Sequence, residues 1–160
     1  MIDDAFAGVP TATLLRRSVL LLALVGLVGA GVELVFLRHW KAATQLIVWP
    51  TLVALAVGFV LLVRRPSRRS VVWARRLAVA VALVAVVGVV LHALANVDAG
   101  PLDRVFATRW SEMSAIEQWW EAVTGGVGPA PVLAPGVLAE VSLALVIATL
   151  RHPALEPGTG

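Results

Sequence analysis

Four long apolar runs constrain this chain more than any other feature: Ser18–Leu37, Ala42–Val63, Leu77–Val97 and Val132–Leu150. Each holds 19–22 residues and at most one charged side chain. At about 1.5 Å per residue, a helix of that length covers the roughly 30 Å hydrocarbon core of a bilayer. An open sheet is excluded there, because its edges leave backbone groups unpaired in lipid. In a soluble domain the apolar residues would be dispersed by amphipathic periodicity, whereas here they are consecutive. Only 14% of the chain is charged, well below the roughly 25% of an ordinary globular domain. The predicted fold is all-α: a transmembrane antiparallel four-helix bundle in one membrane domain, 18–154. Segments 1–17 and 155–160 are expected in the cytoplasm, and a short external amphipathic helix between spans three and four.

Absent residue types narrow the chemistry. The chain has no cysteine, so disulfides, thiol catalysis, Fe–S clusters and thiolate metal sites are excluded. A single lysine, Lys41, stands against twelve arginines in a background of Ala, Val and Leu, a bias that points to a GC-rich bacterial genome. The net charge of +3 does not signal nucleic acid, since the arginines flank the apolar runs. Arg16, Arg17, Arg64, Arg65, Arg68, Arg69, Arg75, Arg76 and Arg151 fall on one side, against Arg38, Lys41, Arg104 and Arg109 on the other. Basic residues near short loops mark the cytoplasmic side. The expected protein is therefore a multi-pass inner (plasma) membrane protein with both termini inside. The basic segment 64–69 is read as a topology determinant facing anionic headgroups.

Arg16-Arg17 before an apolar stretch also fits a secretory signal with Val28-Gly29-Ala30 as its cleavage site. The run continues to Leu37, longer than a signal core, which favours a retained span. Tryptophans lie where headgroups are expected: Trp40 and Trp49 at the outer ends of spans one and two, Trp73 at the inner end of span three, Trp119 and Trp120 in the external loop. These five are expected interface anchors.

The external loop, 98–131, is too long for a turn. Ser114-Ala115-Ile116-Glu117 has capping-box spacing. After it, Ile116, Trp119, Trp120 and Val123 recur at one face of a helix over about 115–124, with Glu117, Gln118 and Glu121 elsewhere. This helix is expected to lie in the outer interface and cap the bundle. The following Gly125-Gly126-Val127-Gly128-Pro129 lacks the lysine and the strand–helix context of a phosphate loop.

The polar residues inside the runs are few, and an ionisable one there costs roughly 2.5–3.5 kcal/mol on insertion scales. Small-residue stripes predict where they point. Gly26, Gly29, Ala30 and Glu33 share one face; Ala78, Ala82, Ala85, Gly88, His92 and Asn96 another; Gly136, Glu140, Ala144 and Ala148 a third. Small residues let helices approach closely, so the polar groups are expected on packing faces. Glu33 lies about 6 Å, His92 about 8 Å and Glu140 about 12 Å inside the outer ends of their spans. With Gln45 and His39 nearby, an outward-facing pocket of Glu33, His39, Gln45, His92, Asn96 and Glu140 is expected. The alternative is structural: Glu33 paired with Arg38 or Lys41, and His92 and Asn96 tying helices together.

Three chemistries suit such a pocket. It can bind a ligand or partner without catalysis. It can couple protons or cations to transport, with Glu140 desolvated and His92 titrating near neutrality. It can hold a metal through His39, His92, Glu33 and Glu140, or a haem through the two histidines. No Glu-x-x-His or His-Glu-x-x-His motif is present, so di-iron and zinc-protease signatures are missing. No Ser-His-Asp arrangement is visible.

His39 with Gln45 and Pro50, His92 with Asn96, Leu133-Ala134-Pro135-Gly136 and Arg151-His152-Pro153 resemble small four-span proteins of bacterial membranes, a family with no established activity. The resemblance covers about residues 18–154. It implies the four-span architecture and brings no catalytic residue. The chain is similar to small multidrug transporters only in size, span count and a first-span Glu. The expectation is a non-enzymatic binding or accessory membrane protein with no cofactor. Its expected partners are the bilayer and either another membrane protein or a second copy, and not nucleic acid.

Overall fold

The computed structural model describes residues 9–64 and 66–156. Residues 1–8, Arg65 and 157–160 lie outside it, and with them the first part of the expected cytoplasmic segment, one basic loop residue and the end of the tail. Five α-helices are described: α1 (Thr11–Phe36), α2 (Val48–Val63), α3 (Arg68–Ala99), α4 (Ala115–Thr124) and α5 (Gly136–Thr149). Short 3-10 turns cover Ala43–Ile47, Gly100–Leu102, Trp110–Glu112 and Pro153–Leu155. No strand occurs among the described residues. Three helical segments, Thr11–Phe36, Ala43–Val63 and Arg68–Leu102, are long and apolar enough to cross a membrane.

Helix boundaries depart from the hydropathy blocks for local reasons. α1 starts at Thr11, directly after Pro10, which cannot sit deeper in a helix without losing a hydrogen bond. α3 starts nine residues before the expected Leu77. Ser67 caps it, its hydroxyl accepting from Ser70 N at 3.2 Å while Ser67 N donates to the Ser70 hydroxyl at 2.7 Å. Its 32 residues span about 48 Å at 1.5 Å each. α2 is α-helical only from Val48, so that Pro50 falls in its first turn, where the missing N–H is no loss. The expected last span, 132–150, is a helix of 14 residues, about 21 Å long. Residues 132–135 form turns instead, since the ring of Pro135 disfavours helical backbone at Ala134.

The chain divides into two units, residues 1–82 with 138–160, and residues 83–137. In the first, α5 is the shared neighbour. A Cβ on Gly26 of α1 would lie 2.7 Å from Val141 Cγ2, and one on Gly58 of α2 would lie 3.5 Å from Leu145 Cδ1 and 3.6 Å from Ala74 O of α3. Close helix approach through small residues gives the packing its dispersion contacts. The buried residues of α5 are Leu138, Val141, Ser142, Leu145, Ala148 and Thr149. Hydroxyls there and in α2 are satisfied by their own helices: Ser142 donates to Leu138 O at 2.7 Å, Thr149 to Val146 O at 2.6 Å and Thr51 to Val48 O at 2.6 Å.

The carboxyl end of α5 is held by two arginines. Arg16 of α1 donates to Ala148 O at 3.1 Å and Arg151 O at 3.2 Å. Arg75 of α3 donates to Thr149 Oγ1 at 2.8 Å and Thr149 O at 2.9 Å. The last carbonyls of a helix have no internal partner and carry partial negative charge, so guanidinium groups suit them. α5 therefore runs antiparallel to α1, with its carboxyl end bonded to the second turn of α1 and the third turn of α3.

The second unit packs the loop after α3 around Phe106, Trp110, Ala122 and Val127, with Val97 and Met113 against them. Phe106 and Trp110 meet edge to face, centroids 6.2 Å apart. Asp103 Oδ1 accepts from Val105 N at 2.8 Å and Phe106 N at 3.3 Å, which starts the turn. Ser114 caps α4: Glu117 N donates to its hydroxyl at 3.3 Å, and Ser114 N donates back to Glu117 Oε2 at 2.8 Å. Gly125, with φ of 80°, ends the helix in the left-handed region.

Candidate functional site

Of the six expected pocket residues, four lie in the first unit. Gln45 caps the 3-10 turn before α2, its Oε1 accepting from Lys41 N at 2.8 Å and Ala42 N at 3.2 Å. His39 is half-buried in the turn after α1, and its carbonyl accepts from Trp49 Nε1 at 2.9 Å. Glu33, three residues from the end of α1, is exposed, and so is Glu140 of α5. Neither carboxylate has a hydrogen bond or ion pair among the described residues.

The position of Glu140 corrects the expectation that its stripe is a packing face. α5 turns Leu138, Val141 and Leu145 inward, whereas Glu140 shares the opposite side with exposed Leu143 and Ile147. Small residues alone did not decide the face: Ala148 is buried, but Ala144 is only half-buried.

The other two, His92 and Asn96, stand one turn apart on α3 in the second unit, and both hold the same stretch of loop. Asn96 is fully buried. Its Nδ2 donates to Ala122 O at 3.0 Å and Ala130 O at 2.8 Å, and its Oδ1 accepts from Ala130 N at 2.8 Å. All its polar capacity but one lone pair is used. His92 Nδ1 lies 2.8 Å from Pro131 O. A carbonyl only accepts, so Nδ1 carries a proton and donates. Gly128, with φ of 80°, presses its backbone onto Asn96 where no side chain fits. These two residues fasten the loop to α3.

No three His, Asp or Glu side chains gather within either unit into a set that holds a metal ion, among the described residues. Nor does any buried side-chain nitrogen or oxygen there lack a partner. His152, which spacing did not single out, is nearly buried. Its Nδ1 accepts from Ala154 N at 3.2 Å. Burial, and then the Arg16 guanidinium, hold its imidazole below the ordinary value of 6.5. The backbone and side-chain bonds from Ser114 hold the Glu117 carboxyl below the usual range.

The expected anchors divide by environment. Trp40, Trp73, Trp119 and Trp120 are exposed, while Trp49 is half-buried with its centroid 6.1 Å from that of Trp40. Arg76 lies 5.4 Å over the Trp73 ring. α4 turns Ala122 and Gln118 toward the loop core, with Gln118 Nε2 donating to Trp110 O at 2.7 Å. The apolar face of α4 is turned outward: Ile116 is 82% and Trp120 68% exposed.

No family model, curated protein or solved structure matches the chain. The likeness to small four-span bacterial proteins rests with the short motifs that carry it.

Proposed function

We propose that the chain is a four-span protein of a bacterial inner membrane, with both termini in the cytoplasm, that binds or assists another membrane protein and has no catalytic role of its own. Length and apolarity of three helices support the membrane assignment. The basic bias of the 64–76 segment supports the orientation, and the antiparallel course of α5 against α1 supports a fourth crossing. The observation that carries the functional reading is Glu140. It is a carboxylate without a partner among the described residues, on the exposed side of α5 beside Leu143 and Ile147.

Facing acyl chains would cost such a group roughly 2.5–3.5 kcal/mol. A neighbouring protein helix with a hydrogen-bond donor removes that cost, and intramembrane polar groups commonly act as helix–helix contacts. Glu140 is thus read as part of a docking face on α5.

Photo-crosslinking from Leu143 and Ile147 in native membranes tests this. The expected result is a discrete adduct from both positions that disappears with Glu140→Leu. Adducts with lipid alone would remove the reading. A proton- or cation-coupled transporter, the rival use of the same carboxylate, predicts flux in proteoliposomes that falls with Glu140→Gln.

A further inference from the structure

We infer that α4 is a membrane-interface helix whose Ile116, Trp119, Trp120 and Val123 insert into the outer-leaflet boundary of a neutral lipid surface. The inference rests on the membrane reading above and adds a second, in-plane contact with the bilayer.

Three observations select lipid as the occupant. The first is depth. Ala122 O of α4 is hydrogen-bonded to Asn96 Nδ2 at 3.0 Å, and Asn96 stands three residues before the end of α3, one of the helices long enough to cross a membrane. α4 is therefore tied to the end of that span, where headgroups begin. The second is the apolar exposure of the neighbouring span. In the same unit α3 exposes Leu83, Val86, Val87, Val90, Leu91 and Leu94, an apolar surface that only lipid or protein can cover. The third is chemistry. The exposed face of α4 combines two indoles with aliphatic side chains, and tryptophan favours the boundary between acyl chains and headgroups.

The geometry of α4 fits this placement. Ala122 and Gln118 dock on the loop core, so the apolar side faces away from the protein, and a shallow groove runs along Ala115, Ile116, Trp119, Trp120 and Val123. The helix has no Lys or Arg and carries Glu117 and Glu121. Insertion therefore draws on apolar burial and not on attraction to anionic lipid.

The chain contains no cysteine, so single spin labels can be placed at Ile116→Cys, Val123→Cys and Glu117→Cys, with Val86→Cys on α3 as the reference. The protein is reconstituted in phosphatidylcholine vesicles, and collision rates with oxygen and with a water-soluble nickel chelate are compared. Labels at Ile116→Cys and Val123→Cys are expected to favour oxygen severalfold, as at Val86→Cys, and the label at Glu117→Cys to favour nickel. If only the Val86→Cys label is lipid-exposed and the α4 labels meet nickel, the inference fails while the membrane reading stands. Protection of the α4 labels from both reagents would mean protein covers the face, and also overturns it. Nickel access at Val86→Cys as well would remove the membrane reading itself.

Discussion

Truncating Asn96 would leave the carbonyls of Ala122 and Ala130 and the N–H of Ala130 without partners in a buried place. Each such orphan costs about 1–3 kcal/mol. Asn96→Ala is therefore expected to loosen the 100–131 loop from α3 without unwinding α3. Asn96→Asp should act alike, because an ionised carboxylate keeps the contact with Ala130 N and repels both carbonyls. Hydrogen exchange at the Ala130 amide reads the effect directly. Accelerated exchange in both variants is expected, and exchange at the wild-type rate would show that the loop is held elsewhere. The sequence put Asn96 on a small-residue face of its apolar run, and the side chain is buried. It hid the partners, because backbone carbonyls of a distant loop carry no side-chain signature. Ser114 with Glu117 was accessible from spacing because cap and partner lie within one turn, whereas Gln45, expected in the pocket, caps the backbone three and four residues before it.

At the scale of elements, hydropathy located the apolar runs but not the helices. A bilayer constrains which residues are apolar, while helix ends answer to prolines and caps. Pro10 before Thr11, Pro66-Ser67 before Arg68 and Pro135 before Gly136 are the signals that set the starts of α1, α3 and α5. Arg16 and Arg75, read from sequence as topology markers alone, also terminate α5 by binding its last carbonyls. That end of α5 carries a pH dependence. His152 accepts from Ala154 N only while neutral, and its folded pKa lies below 6.5. Protons thus bind more readily when this turn is open, so its stability is complete above pH 6.5 and declines as pH falls through the lower folded value. The protection factor of the Ala154 amide, its exchange rate set against the intrinsic rate at the same pH, is expected to fall across that acidic window. His152→Phe should give low protection at every pH. A wild-type protection factor indifferent to pH between 7 and 5 would contradict the role assigned to the imidazole.

For the whole molecule, two independent physical facts bear on the proposed orientation. One is the excess of arginine around the α2–α3 connection, a statement about charge. The other is the antiparallel seating of α5, whose carboxyl end is bonded to Arg16 near the start of α1 and to Arg75 near the start of α3. Charge alone says which loops stay inside, and the hydrogen bonds say that the end of α5 belongs with the starts of α1 and α3. Glu140 shows where this reasoning from sequence stops: a one-face stripe fixes which residues align, but not which of two opposite faces meets protein. The orientation has its own test, again using the absence of cysteine. In intact cells freed of their outer barrier, a membrane-impermeant maleimide is expected to label Thr108→Cys, in the loop that the proposed orientation places outside. Ser67→Cys, between α2 and α3, should react only after the membrane is opened. Both positions are exposed, so neither outcome reflects burial. The reverse pattern would invert the orientation, and would move α4 with its indole-bearing face from the outer leaflet to the inner one while leaving its bond to Asn96 intact.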